Sequence, residues 1–121
     1  MDENELKEIL RKHELWLYGE EGGEYADLRN VNLNGVDLNK ATLSYAFLAE
    51  ADLTDADLSG AKLYNANLRG ANLTKADISG AKLAGADLSG TNLTNADLSG
   101  ADITNANLTD AIIDGVNGLD I

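Results

Sequence analysis

The sequence has no cysteine and no proline, and only one tryptophan, one phenylalanine and one histidine in 121 residues. Without cysteine, disulfides and thiolate metal sites are excluded. No apolar run approaches the roughly 20 residues needed to span a bilayer. The first ten residues, MDENELKEIL, are charged and lack the apolar stretch of a signal peptide. A cytoplasmic, non-membrane protein is therefore expected. Basic residues are scarce, nine against 21 acids, for a net charge of −12. That balance opposes direct binding to nucleic acids or anionic membranes, which need Lys/Arg-rich surface. It suits solubility, a basic partner, or imitation of a nucleic acid.

What is present is a repeat. Leu and Ala dominate the apolar content, which is too high for a disordered chain. A five-residue period runs without a gap over residues 26–115, eighteen units in all. The middle residue is Leu in fifteen units and Ile in three (Ile78, Ile103, Ile113). Two positions earlier stands Ala, with Val31, Val36 and Thr91 as exceptions. The residue between them is usually Asp or Asn. ADLSG at 56–60, 86–90 and 96–100 is the clean form.

This period suits neither a helix nor a long strand. At about 100° per residue, five residues turn through roughly 500°, so the Leu positions would drift around a helix. In a strand an odd period would turn every second Leu to the wrong face. The pattern works if each unit is one short extended stretch and one turn, with Ala and Leu inward and the residue between them outward. The fifth position is Gly, Asn or Asp in fourteen of eighteen units. Those residues tolerate the positive φ that a type II turn requires at its third residue. Lys40, Tyr45, Glu50 and Lys75 depart from the pattern, and different turn geometry is expected there. Recurrence at 20 residues (Ser59, Ser79, Ser99; Gly60, Gly80, Gly100; Thr54, Thr74, Thr94) points to four units per coil.

Tandem A(D/N)LXX resembles the pentapeptide-repeat family over about three-quarters of the chain. The resemblance implies an all-β solenoid, a right-handed quadrilateral β-helix of about 4.5 coils, roughly 22 Å long at ~4.8 Å per layer. Its core would be four stacks: Leu28, Leu48, Leu68, Leu88 and Leu108; Leu33, Leu53, Leu73, Leu93 and Ile113; Leu38, Leu58, Ile78 and Leu98; Leu43, Leu63, Leu83 and Ile103. Thr91, the one polar inward residue, should bond a nearby carbonyl.

Residues 1–25 read as a short α-helical cap with its linker. Asp2 and Glu5 form a capping box. Leu6, Ile9, Leu10, His13, Trp16 and Leu17 follow helical spacing, and Gly19 is a natural stop. Leu10, Trp16 and Leu17 are expected over the first coil. The segment KHELWLYGEEGGEYADL also resembles the lead-in to the repeats of many bacterial and phage family members. Residues 116–121 are a tail too short for a second helix. Either Leu119 and Ile121 fold over the last coil, or two copies meet there as a homodimer.

No cluster carries recognisable chemistry. His13 lies among apolar neighbours without the partners a catalytic triad needs. No Gly-rich loop opens a helix to cradle phosphate. No cofactor or metal is expected. The most distinctive surface feature is a stacked column of Asp37, Asp57, Asp77 and Asp97, with carboxylates about 5 Å apart. It reads as a solvated face, or as an anionic stripe for a basic partner or a weakly held cation. Repulsion should raise the pKa of the inner pair, Asp57 and Asp77, so that mild acid stabilises the rod. Tyr45, Phe47 and Tyr64 stand at outward positions and form a candidate partner contact. The functional expectation is a non-enzymatic interaction or scaffold module with an unidentified protein partner. The resemblance adds an alternative, since some family members imitate a DNA duplex and bind DNA gyrase as acidic dimeric rods. This chain is short, has no loop interrupting its repeats, and carries Arg29, Lys62, Arg69 and Lys82 on its surface.

Overall fold

The structure, a computed structural model, describes residues 1–119. Helix α1 (Glu3–Leu17) precedes a stack of coils in which every fifth residue sits in a turn. Among the described residues fifteen parallel bridges join the coils, and each joins residues 20 apart, from Asp27↔Phe47 to Asp97↔Asn117. Four units therefore close one coil, and the rod is a quadrilateral β-helix.

Backbone hydrogen bonds repeat with the same register. Leu28 N–H donates to Phe47 O at 2.7 Å, Phe47 N–H to Ala26 O at 3.0 Å, and Asn30 N–H to Ala49 O at 3.0 Å. Within each unit a turn bond closes the corner, as from Ala51 N–H to Leu48 O at 3.1 Å. The fifth residue is the third of that turn. It has positive φ in all eighteen units, including Lys40 (59°), Tyr45 (66°), Glu50 (61°) and Lys75 (60°). The expectation of other turn geometry at these four was wrong. The coils above and below fix the corner, and this tertiary constraint outweighs the ~1–2 kcal/mol that left-handed backbone costs a residue with a Cβ.

The interior is filled by side chains. Leu28 through Leu98, every fifth residue, are buried, as is the intervening column from Ala46 to Ala96, and between Leu58 and Leu98 no water-sized space remains. Each such Leu contributes about 1.5–3 kcal/mol by leaving water. Thr91 is fully buried and its hydroxyl donates to Leu88 O at 2.8 Å.

The two ends differ. At the N-terminal end α1 lies over the first coil. Asp2 caps it by accepting from Glu5 N–H at 2.8 Å. Gly19, with φ of 68°, ends it in a Schellman arrangement: Gly19 N–H donates to Trp16 O and Glu20 N–H to Leu15 O. Leu6 and His13 are buried, and Ile9 and Leu10 pack against the core. Trp16 is exposed and Leu17 only half-buried, so of the three residues expected over the coil only Leu10 lies there. The reason is His13, whose ring claims the centre of the contact and turns Trp16 outward. At the other end Ile103 and Leu108 are half-buried and Ile113 is exposed. The expectation that Ile103, Leu108 and Ile113 are hidden therefore fails. Among the described residues no coil lies beneath the last one to cover it. Leu119 packs partly against this end, whereas Ile121 falls outside the described residues.

Candidate interaction surface

Each face of the rod shows one column of outward residues. The third face carries Asp37, Asp57, Asp77 and Asp97, stacked as the sequence register implied. Each is held by its own turn. Asp57 Oδ1 accepts from Ser59 N–H at 2.9 Å and Ser59 Oγ at 2.5 Å, and Asp77 Oδ1 accepts from the same two groups of Ser79 at 3.0 and 2.6 Å. An Asx side chain reaches the N–H two residues on, so the motif D-x-S makes this bond wherever it occurs. The hydroxyl and amide of Ser59 hold the Asp57 carboxyl below its usual range, against a small opposing effect of burial. The bonds from Ser99 do the same for Asp97. The expected rise at Asp57 is thus reversed. Two donors stabilise the charged form at close range, while water screens the repulsion along an exposed column. Among the described residues no group of three or more acids or histidines could hold a metal ion.

The fourth face opposes this charge, with Lys62 bridged to Lys82 and only Asp102 beneath. The second face is mixed, Asn32, Asp52, Asn72 and Asn92 ending in Ile112. Carboxylates therefore run unbroken down one side only.

The first face carries the aromatic surface. The sequence grouped Phe47 with Tyr45 and Tyr64. Those two tyrosines do share a corner, where Tyr45 N–H donates to Tyr64 O, and both are exposed. Phe47 instead meets Tyr25 edge-on, with ring centroids 5.0 Å apart. Tyr25 meets Trp16 at 5.9 Å and 67°, and Trp16 stacks on His13 at 5.5 Å. Arg29 lies 5.7 Å from the centre of the Phe47 ring and forks onto Asp27 at 2.8 and 2.7 Å. This pair holds Asp27 below the usual carboxylate range. The sequence reading placed Trp16 in the helix cap and Arg29 among the surface cations, and grouped neither of them, nor Tyr25, with Phe47. The signal was there in the 20-residue period, which sets Phe47 directly beneath Asp27, two residues from Tyr25.

His13 anchors the ladder from within. It is fully buried, its Nδ1 accepts from Ala26 N–H at 2.8 Å, and its Nε2 lies 2.8 Å from Ser44 O. Only a neutral ring with its proton on Nε2 satisfies both. Ser44 O lies on the edge of the first coil; Tyr64 O, the equivalent carbonyl one coil lower, receives Tyr45 N–H. The histidine thus supplies a bond that a preceding coil would make.

A five-residue unit, a 20-residue coil and an Ala/Leu core together define the repeat. The family description "Pentapeptide repeats" matches in eight copies over residues 24–60, 51–90 and 81–117. The chain is a pentapeptide-repeat protein. Solved structures of other pentapeptide-repeat proteins agree. One from the Arabidopsis thaliana thylakoid lumen is 33% identical, with a TM-score of 0.75, over 79% of this chain and 67% of its own. Rfr23 from the cyanobacterium Cyanothece 51142 is 35% identical, with a TM-score of 0.74, over 75% of this chain and 63% of its own. This pentapeptide-repeat protein therefore spans about two-thirds or less of either relative. QnrB1, a plasmid-mediated fluoroquinolone resistance protein, is 20% identical with a TM-score of 0.51, over 76% of this chain and 59% of its own, which is likeness of fold alone. Comparison with curated proteins gave no match. Among the described residues no helix is long and apolar enough to cross a membrane.

Proposed function

We propose that this pentapeptide-repeat protein is a non-catalytic interaction module that holds a protein partner against the outside of the rod. The observation that carries the reading is the exposed aromatic ladder of Trp16, Tyr25 and Phe47. A chain with six aromatic residues sets three of them side by side in solvent, and exposed aromatic clusters are characteristic of binding hot spots. Acid–base chemistry needs carboxyl groups in contrasting environments. Here Asp52, Asp57, Asp87, Asp97 and Asp102 are all shifted the same way by the same turn motif. A second copy of the chain on the open C-terminal coil is a further proposed contact.

The test is affinity capture on immobilised protein from a bacterial lysate, comparing the wild type with Phe47→Ala and with Asp57→Asn/Asp77→Asn. A protein retained by the wild type and the aspartate variant but not by Phe47→Ala is the expected result. Identical retention by all three removes the reading.

The unbroken carboxylate column on the third face favours a second reading, an acidic rod that takes the place of DNA on gyrase or topoisomerase. Lys62 and Lys82 on the adjacent face weigh against it. A supercoiling assay with purified gyrase separates the two, and no effect at high protein concentration ends the second.

A further inference from the structure

Between α1 and the first coil, Trp16, Gly23, Glu24, Tyr25 and Asp27 line an open cleft of about 510 Å³. Its aromatic walls meet at 67°. Gly23 builds its floor. A Cβ there would lie 2.4 Å from Trp16 N, so the linker runs flush against the helix end. Residues 14–28 include Glu14, Glu20, Glu21, Glu24 and Asp27 and no Lys or Arg. The cation nearest Glu24 is Lys12, at 4.0 Å with the Glu24 side chain 74% exposed, so that carboxylate is open to a better partner.

We infer that this cleft binds an arginine side chain from a basic segment of a partner protein, the guanidinium lying against the exposed aromatic wall that Trp16 and Tyr25 form together and pairing with Glu24. The molecule already contains the same chemistry one step along the ladder. Arg29 lies over Phe47 and forks onto Asp27. That internal arginine fills the Phe47 end of the ladder, while the Trp16 end stands open. A guanidinium fits better than an ammonium because it is planar, weakly hydrated and able to stack and fork at once. The excess of carboxylates around the cleft draws a basic segment and disfavours an acidic one.

The inference rests on the proposed interaction role and names the chemistry of the partner. Its test uses the full chain and a fluorescein-labelled RGRGR peptide, followed by anisotropy, with the citrulline analogue as control. Saturable binding of the arginine peptide and none of the analogue is expected. Tyr25→Ala and Trp16→Ala should each weaken binding about tenfold, the effect of a desolvated cation–π contact. Glu24→Gln, which leaves the aromatic packing intact, should weaken it severalfold, and Asp57→Asn on the third face should leave it unchanged. No saturable binding, equal binding of the analogue, or equal losses with Asp57→Asn and Glu24→Gln overturns the inference. If an aromatic-dependent partner is captured from lysate while the peptide fails, the interaction role stands and the arginine chemistry falls.

Discussion

At the scale of the residue, two kinds of position carry consequences opposite to those the sequence suggested. The first is the corner. Lys75 holds a φ of 60° in an exposed turn and its N–H donates to Thr94 O at 2.9 Å. Asn tolerates that backbone better than Lys and keeps the donor. Lys75→Asn should therefore raise stability by about 0.5–1 kcal/mol, read as an increase in Tm. An unchanged or lower Tm contradicts a strained corner. The second is the outward aspartate. Asp52, Asp57, Asp87, Asp97 and Asp102 are all held below their ordinary pKa by the Ser or Thr two residues on. A carboxyl with a lowered folded pKa favours the fold above its unfolded pKa and loses that contribution as pH falls. The rod should thus be less stable near pH 3 than near pH 6, by thermal melts at fixed ionic strength. A higher Tm in acid would restore the repulsive column. The inward residues from Leu28 to Leu98 need no such revision. Leu68, mid-rod and fully enclosed, should cost about 3–5 kcal/mol when replaced by Ala.

At the scale of the element, the coil was legible and the docking of α1 was not. A period of five with Ala and Leu two apart admits one geometry, and neighbouring coils repeat the same contacts. The helix offers no such redundancy. Its boundaries could be read because Asp2 and Gly19 act within one turn of themselves. Its rotation could not, since it depends on His13 meeting Ala26 N–H and Ser44 O, the latter 31 residues away. The aromatic ladder was missed for the same reason, because it crosses the seam between helix and coil. The His13 contact makes α1 sensitive to acid. Burial lowers the pKa of the ring, partly offset by the bond to Ser44 O. Protonation would place a second N–H against that of Ala26. The contribution of His13 is complete above its unfolded pKa of about 6.5 and is lost as pH falls from there towards the folded value. That window opens well above the carboxylate range, so the loss at His13 begins first as pH falls. Hydrogen exchange at the Ala26 amide should accelerate between pH 7 and 5, relative to its intrinsic rate, while Leu68 stays protected. Equal behaviour of the two amides would mean that the ring does not hold the cap.

At the scale of the whole molecule, the described residues cover one end of the rod and leave the other uncovered. Interior coils are paired on both edges, whereas the last described coil leaves the inward residues Ile103, Leu108 and Ile113 partly or largely exposed. An exposed sheet edge bordered by apolar side chains is a template for pairing. What it can pair with is limited by α1, which occupies the corresponding edge of the first coil. Head-to-tail stacking, the arrangement that grows without limit, is thereby blocked, and two open ends can meet only around a two-fold axis. The 121-residue chain should accordingly sediment as a closed dimer at micromolar concentration and above. Ile113→Lys, which sets a charge on the contact, should shift it to monomer with little change in Tm. Removing residues 1–19 should have the opposite effect, because it uncovers the first coil and permits rods to add end to end, giving larger species that Ile113→Lys suppresses. Sedimentation velocity on the three proteins decides the matter. A wild type that stays monomeric, or a truncated chain that forms nothing larger than the wild type, shows that the helix is not what limits assembly.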